Sequence, residues 1–306
     1  MTDIFLSKIN STKIIPSIRQ GDRRILSRCI SWIENEHADY LELLQSLPAD
    51  YSTRKVIGIT GAPGAGKSTL IDVLIGHLIS EHKKIAVICV DPSSPFHFGA
   101  LLGDRIRMNK WFNHEDVFIR SLASRGNLGG LNPKVIEITD LLKAADFDYI
   151  IIETVGVGQN EVEVAAIADT TIVVLTPGSG DDIQTMKAGL MEIADIFVVN
   201  KSDHEQTDNL VKNLQGILIQ DQQPIPVLKT IATQGEGVRE LWNQIKIDLS
   251  DETKNAHKPE LLAAEAYQLI QYQRMKDLSK EDLSKDIREL IQHEQFNLYQ
   301  LISKYT

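Results

Sequence analysis

The sequence has few cysteines, and their placement excludes a disulfide-rich or zinc-ribbon protein. Among 306 residues only two are cysteines, Cys29 and Cys89, and they form no CxxC pair. Cys89 lies inside an apolar run typical of a strand. Two buried thiols in a reducing compartment are therefore a better interpretation than a disulfide or a metal site.

Long apolar runs and an excess of positive charge are also missing. No stretch of about 18 uninterrupted apolar residues occurs, which predicts that nothing spans a membrane. The first ten residues lack the layout of a signal peptide, so we expect a cytoplasmic protein with no membrane partner. The formal net charge is −10. This negative charge disfavours nucleic-acid binding by the surface as a whole, although it does not exclude a local basic patch.

Short β-branched runs alternate with longer helical segments between residues 51 and 250. Most of the runs are apolar on both faces, as strands covered by helices on both sides should be. This alternation predicts an α/β fold with a doubly wound, mainly parallel sheet. The runs are 56–60, 85–91, 117–120, 149–153, 171–175, 196–200 and 227–231.

Helical extensions are predicted on both sides of this domain. Residues 1–50 carry apolar side chains at helical spacing, and a second amphipathic run ends at Pro48. Residues 251–306 begin as a polar linker and continue as a Gln-, Lys- and Glu-rich stretch with regular Leu and Ile. Such an arm often serves dimerisation; the alternative is a helix packed on its own domain.

The strongest motif follows the first predicted strand and opens a predicted helix. It reads Gly61-Ala62-Pro63-Gly64-Ala65-Gly66-Lys67-Ser68, followed by Thr69. It fits GxxxxGK[ST] in full, the pattern of a P-loop that binds nucleoside triphosphates. The glycines let backbone N–H groups point at phosphate oxygens, and the helix adds its positive end. Lys67 would bridge the β- and γ-phosphates and Ser68 would bind magnesium. The alternative is a structural glycine turn.

A second motif, Asn200-Lys201-Ser202-Asp203, directly follows a predicted strand and indicates which base is bound. An aspartate there can accept hydrogen bonds from the ring N–H and the 2-amino group of guanine. Adenine lacks this pair of donors. The Lys201 stem would lie over the base, while Asn200 would tie this turn to the phosphate loop. The backbone N–H of Ala232, after the next strand, is a candidate donor to the guanine carbonyl. A polar turn is the alternative for the NKxD motif.

Three acidic residues near strand ends are candidate magnesium ligands. Asp91 and Glu153 end predicted strands, and Asp104 lies in a loop between them. A carboxylate at a strand end can hold magnesium directly or through water. Each could instead be a helix cap or a solvated turn, and this alternative is favoured for Asp104 taken alone. Gly156 could offer its N–H to the γ-phosphate and release it after hydrolysis.

Together these residues resemble the methylmalonyl-CoA mutase-associated GTPases of the MeaB/ArgK type. The matching stretches, in family order from residue 61 to 203, are GAPGAGKSTL, VDPSSP, GALLGDRIRM, SRGNLGGL, ETVGVGQNE and NKSD. The stretch ETVGVGQ, which stands in place of the commoner DxxG, is especially characteristic of this family. The resemblance extends more loosely over the whole chain.

The resemblance implies a homodimeric GTPase that uses GTP, GDP and Mg²⁺ and dimerises through its C-terminal arm. It implies a partner, an adenosylcobalamin-dependent acyl-CoA mutase, whose cofactor loading the GTPase gates and which it protects from inactivation. It also implies that Asp91, Asp104 and Glu153 form the magnesium neighbourhood, so that Lys67, Asp104 and Glu153 are the catalytic candidates. A further mobile segment that senses the partner would be 177–187.

Other functions use the same phosphate site. An ATPase linked to lysine, arginine and ornithine transport is an older label for the family, but NKSD and the lack of a membrane-directed segment argue against it. A metallocentre-assembly GTPase for nickel enzymes would be expected to carry a Cys/His cluster, whereas the eight histidines are scattered. A small-molecule kinase would have no reason for NKSD.

Overall fold

The computed structural model of the chain describes residues 11–48, 54–91, 108–123, 133–154, 160–178, 188–220, 225–251, 258–293 and 296–305. Contacts divide the chain into two compact units, Met1–Leu261 and Leu262–Thr306. The first unit includes the N-terminal helices α1 (Ser11–Arg19), α2 (Arg23–Glu34) and α3 (Tyr40–Gln45). The domain boundaries near residues 50 and 250 stay predictions.

A seven-stranded sheet forms the centre of the first unit. The spatial order is β3-β2-β4-β1-β5-β6-β7, and every pair of neighbours is parallel. Each predicted run is a strand, so the predicted doubly wound sheet is confirmed. The strands are β1 (Lys55–Thr60), β2 (Ile85–Asp91), β3 (Val117–Ala123), β4 (Tyr149–Thr154), β5 (Thr170–Leu175), β6 (Ile196–Asn200) and β7 (Val227–Thr230).

Helices cover both faces of the sheet, and the strand side chains alternate between them. Ile172 and Val174 of β5 join one apolar cluster, with residues of the helices α4 (Lys67–Ser80) and α9 (Val238–Leu249). Val173 and Leu175 join a second cluster, with residues of α7 (Ala188–Ile193) and α8 (Thr207–Gln220). Burial on both faces explains why the strands are apolar runs. The helices after α3 are α4 (Lys67–Ser80), α5 (Pro133–Lys143), α6 (Asn160–Ile167), α7 (Ala188–Ile193), α8 (Thr207–Gln220) and α9 (Val238–Leu249), with short 3₁₀ helices at Asn109–Trp111 and Ala232–Gln234.

Polar contacts fasten α2 to the edge of the sheet. The guanidinium of Arg23 donates to the backbone carbonyls of Phe112, His114 and Val117, which lead into β3. At the other end of α2, Glu34 pairs with Arg120 of β3 at 2.5 Å. Both ends of α2 are therefore tied to the same edge strand.

Both cysteines are buried, and neither forms a disulfide. Cys29 lies on the inward face of α2, and Cys89 lies in β2. Burial raises the pKa of the Cys29 thiol to about 12, so that this thiol stays protonated at neutral pH. The expectation of two buried thiols agrees with this placement.

Helices also form the second unit. Most of α10 (Lys258–Met275) and all of α11 (Lys280–Gln292) and α12 (Leu298–Tyr305) belong to it. Asp286 of α11 accepts hydrogen bonds from Lys304 and Tyr305 of α12, each at 2.6 Å, which joins these two helices. Within the described part of the chain, every helix is too short or too polar to cross a membrane.

Candidate functional site

The loop between β1 and α4 approaches its neighbours so closely that two positions admit only glycine. Gly61 has φ 137°, and a Cβ there would lie 2.1 Å from the carbonyl oxygen of Val174. Gly66 has φ 91°, and its Cβ would lie 2.3 Å from Nδ2 of Asn200. Both the backbone conformation and the space therefore require glycine. The first contact sets the loop against β5, and the second sets it against the end of β6.

Lys67 begins α4, and its side chain folds back over the loop. Its ammonium group donates to the carbonyl oxygens of Gly61 at 2.8 Å and Ala62 at 3.1 Å. The residue is only 6% exposed. Because a buried ammonium needs polar partners, the loop carbonyls hold this charge at the N-terminal end of the helix.

Ser68 and Glu153 meet where α4 begins and β4 ends. The Ser68 hydroxyl donates to Oε1 of Glu153 at 2.6 Å, and both residues are buried. Beside them, Thr154 donates to Oγ1 of Thr60 at 2.9 Å, which links the ends of β4 and β1. A hydroxyl and a carboxylate are hard oxygen donors of the kind Mg²⁺ prefers, so this pair fits a magnesium ion.

The Asn200 side chain connects three segments at the carboxyl edge of the sheet. Its Nδ2 donates to the carbonyl oxygen of Ala65 at 2.9 Å. Its Oδ1 accepts from the Thr230 hydroxyl and from the backbone N–H of Ala232, both at 3.1 Å. The sequence predicts Ala232 as a donor to the guanine carbonyl, but in this structure its N–H has another partner. That role stays a prediction.

The turn after β6 reaches the phosphate loop a second time. Lys201 has a positive φ of 56°, and its ammonium donates to the carbonyl oxygen of Gly64 at 2.8 Å. The Ser202 N–H donates to the carbonyl oxygen of Thr230 at 3.1 Å. Asp203 is exposed in the same turn. The turn therefore lies between the phosphate loop and the end of β7, with a carboxylate available at the surface.

Comparison with known proteins shows the family to which this chain belongs. The sequence model of "Methylmalonyl Co-A mutase-associated GTPase MeaB" matches residues 26–289. The chain belongs to the MeaB family. A Pyrococcus horikoshii protein is 45% identical over 241 residues, 76% of each chain. The Escherichia coli GTPase ArgK is 36% identical over an alignment of 307 positions, which covers 95% of this chain and 90% of that one.

A solved structure supports the same assignment. The crystal structure of an LAO/AO transport system kinase has a TM-score of 0.72 to this chain at 27% identity, and the match covers 98% of both chains. The resemblance to the MeaB/ArgK type is thus confirmed. This MeaB-family protein is a GTPase, and it binds guanine nucleotide.

The structure brings most of the predicted site residues to one edge of the sheet, although some lie outside its described part. Asp104 and Gly156 fall outside that part, as do most residues of the segment 177–187. Asp91 is the last residue of β2, and only its backbone position is described. Among the side chains that are described, no group of three His, Cys, Asp or Glu residues could hold a metal ion.

Sequence reasoning missed Thr230, which also lies at this edge. It is the last residue of β7, is 1% exposed, and contacts the Asn200 turn through both its hydroxyl and its carbonyl. A threonine in an apolar strand carries no motif. Its only signal is that β6 and β7 end together, which requires knowing which strands are neighbours.

We expect Gly66→Ala to destabilise the nucleotide-free protein more than Gly64→Ala does. Both glycines have positive φ, so both variants incur the conformational cost of alanine, about 1 kcal/mol. A Cβ at Gly64 meets nothing within 4 Å, whereas one at Gly66 must displace Asn200. The additional loss for Gly66→Ala should be about 1–3 kcal/mol in the free energy of unfolding, measured by urea denaturation. Equal losses in the two variants would contradict the close Gly66–Asn200 contact.

Proposed function

We propose that this MeaB-family GTPase gates the loading of adenosylcobalamin into an acyl-CoA mutase of the methylmalonyl-CoA mutase type and protects that mutase. It acts in the cytoplasm as a magnesium-dependent homodimer. The observation that carries the proposal is the family match over residues 26–289, since the family is named for its association with this mutase. The geometry of the nucleotide site supports a switch driven by GTP binding and hydrolysis.

The chemistry at the phosphates is assigned to the loop backbone, Lys67, the residues around the metal and Gly156. The backbone N–H groups of residues 64–69 would surround the phosphate oxygens, and the Lys67 ammonium would exchange its loop carbonyls for β- and γ-oxygens. Ser68 and Glu153 would hold Mg²⁺, with Asp91 and Asp104 completing its neighbourhood as the family resemblance implies. The metal would neutralise charge that develops on the transferring phosphoryl group. The Gly156 N–H would contact the γ-phosphate.

Base selection is assigned to Asp203. The Asn200 and Lys201 contacts to Ala65 and Gly64 hold the turn that carries Asp203 against the phosphate loop. A nucleotide whose phosphates lie in that loop would therefore bring its base to this turn. The carboxylate would accept from the two N–H groups of the guanine edge, a pattern that adenine cannot match.

Asp203→Asn should change the preferred base from guanine to xanthine. The amide can accept only one of the two guanine hydrogen bonds, whereas xanthine offers an acceptor opposite the new NH₂ group. We expect GTP affinity to fall at least about 100-fold and xanthosine triphosphate to become the better ligand, because mismatched buried polar groups cost heavily. Calorimetric titration with GTP, XTP and ATP measures this. Glu205→Gln, an exposed neutralisation in the same turn, is the matched control and should keep wild-type affinities.

The homodimer is assigned to the C-terminal unit. The helices of this unit leave many large apolar side chains exposed, and a large exposed apolar surface is typical of a protein–protein contact. Large apolar side chains of this unit remain 39–80% exposed: Leu262, Tyr267, Ile270, Met275, Ile291, Phe296, Leu298, Tyr299, Ile302 and Tyr305.

Sedimentation equilibrium tests this assignment. We expect the intact chain to sediment as a dimer, and the double variant Tyr299→Lys with Ile302→Lys to shift it toward monomer, because charges replace buried contacts. Ile219→Lys with Ile247→Lys, at exposed apolar positions of the first unit, is the control and should leave the dimer intact. A monomer of the wild-type chain at micromolar concentration would exclude the homodimer.

The mutase test measures hydrolysis and binding together. We expect slow hydrolysis by the GTPase alone and faster hydrolysis when the purified mutase of the same cell is titrated in, because switch GTPases commonly leave the last catalytic element to a partner. The mutase should also bind the GTP-analogue form and the GDP form with different affinities, and it must then change nucleotide affinity by the same factor. If the mutase changes neither the rate of GTP hydrolysis nor the affinity for nucleotide, the mutase is not a partner of this GTPase.

A further inference from the structure

Thr230 contacts the base-reading turn in two places. In the parallel pairing of β6 with β7, Thr230 is the register partner of Asn200, so the two strands end side by side. The Thr230 hydroxyl donates to Oδ1 of Asn200 at 3.1 Å. Its carbonyl oxygen accepts from the Ser202 N–H, also at 3.1 Å. Side chain and backbone of one residue thus hold both ends of the segment 200–202.

The Thr230 hydroxyl is one of two donors to the Asn200 amide oxygen. The amide oxygen has two acceptor positions, and in this structure it accepts from the Thr230 hydroxyl and the Ala232 N–H. A flipped amide would turn its NH₂ group toward the Ala232 N–H and leave the carbonyl of Ala65 facing an oxygen. The site is buried, so such mismatches cost more than at the surface. The Ala232 N–H and the Ala65 carbonyl therefore fix the amide orientation, and the Thr230 hydroxyl adds a further hydrogen bond that holds the oriented amide in place.

We propose that Thr230 is a specificity-determining positioning residue of this GTPase. It acts through Asn200 and Ser202, and it sets the turn so that the Asp203 carboxylate meets the ring N–H and the 2-amino group of guanine together. The proposal rests on the assignment of base reading to Asp203 and is independent of the mutase. It predicts that replacing Thr230 changes the discrimination between bases more than it changes binding of the phosphates or the rate of hydrolysis.

The test compares GDP with inosine diphosphate, which lacks the 2-amino group. Thr230→Val keeps the branched shape and removes the hydroxyl. Loss of one buried neutral hydrogen bond corresponds to about a 3- to 10-fold change in affinity. We expect the Kd for GDP to rise by this factor and the Kd for inosine diphosphate to rise much less, so that the preference for GDP shrinks. The kcat at saturating GTP should stay within about twofold of wild type.

Two further variants separate positioning from stability. Thr230→Ser retains a hydroxyl and should restore the preference for GDP. Thr170→Val is the matched control, because Thr170 is equally buried and its hydroxyl bonds Asp248 at 2.6 Å, but it begins β5 at the opposite end of the strands. It should lower the melting temperature without changing the ratio of the two Kd values. If Thr230→Val does not fold, Thr230→Ala, which is smaller and also lacks the hydroxyl, takes its place.

The possible results distinguish the role of Thr230 from the base-reading role of Asp203, on which it rests. If the hydroxyl-free variant weakens both nucleotides equally, or if Thr230→Ser fails to restore the preference, Thr230 is a structural residue only and the proposal is overturned. If the wild-type protein itself binds GDP and inosine diphosphate equally, base reading by Asp203 fails first. A normal wild-type preference that the hydroxyl-free variant leaves unchanged overturns the role of Thr230 alone.

Discussion

The side chain of Asn200 is the constraint on which the nucleotide site depends. One buried amide makes hydrogen bonds to the phosphate loop, to the end of β7 and to the 3₁₀ helix that follows it. It also lies so close to Gly66 that a side chain there would have to displace it. Segments far apart in the sequence are thereby held in one arrangement. Since the amide is buried, breaking one of its bonds leaves a polar group without water, which makes the arrangement specific.

Charge burial is the second constraint. Lys67 and Glu153 are almost fully enclosed, and each is bonded to a neighbouring group of the protein, Lys67 to loop carbonyls and Glu153 to Ser68. Buried charges are tolerated when they are paired or hydrogen-bonded. A triphosphate with a divalent cation would offer each of them a partner of opposite charge. Nucleotide binding would then stabilise the fold as well as load the switch.

The N-terminal helices show what tertiary contacts add to a segment whose helices the sequence predicts. Their apolar spacing predicts helices, and Leu26, Cys29, Ile30 and Ile33 of α2 are indeed buried. The sequence suggested an extension. That division stays a prediction, and the structure adds that the Arg23 contacts to backbone carbonyls and the Arg120–Glu34 pair tie α2 to the edge strand β3, within the same compact unit. Backbone carbonyls have no sequence signature, so an arginine that binds them cannot be recognised from sequence.

The sequence by itself determined the elements and the chemistry of the site: the strands, because local runs of apolar β-branched residues are buried on both faces, and the phosphate loop, because its spacing of glycines and Lys67 is local. Tertiary structure alone decided the strand order, and with it which strand ends meet. That order places Ser68 against Glu153 and Thr230 against Asn200. Contacts of this kind join residues that are distant along the chain, and no local pattern encodes them until the sheet has formed.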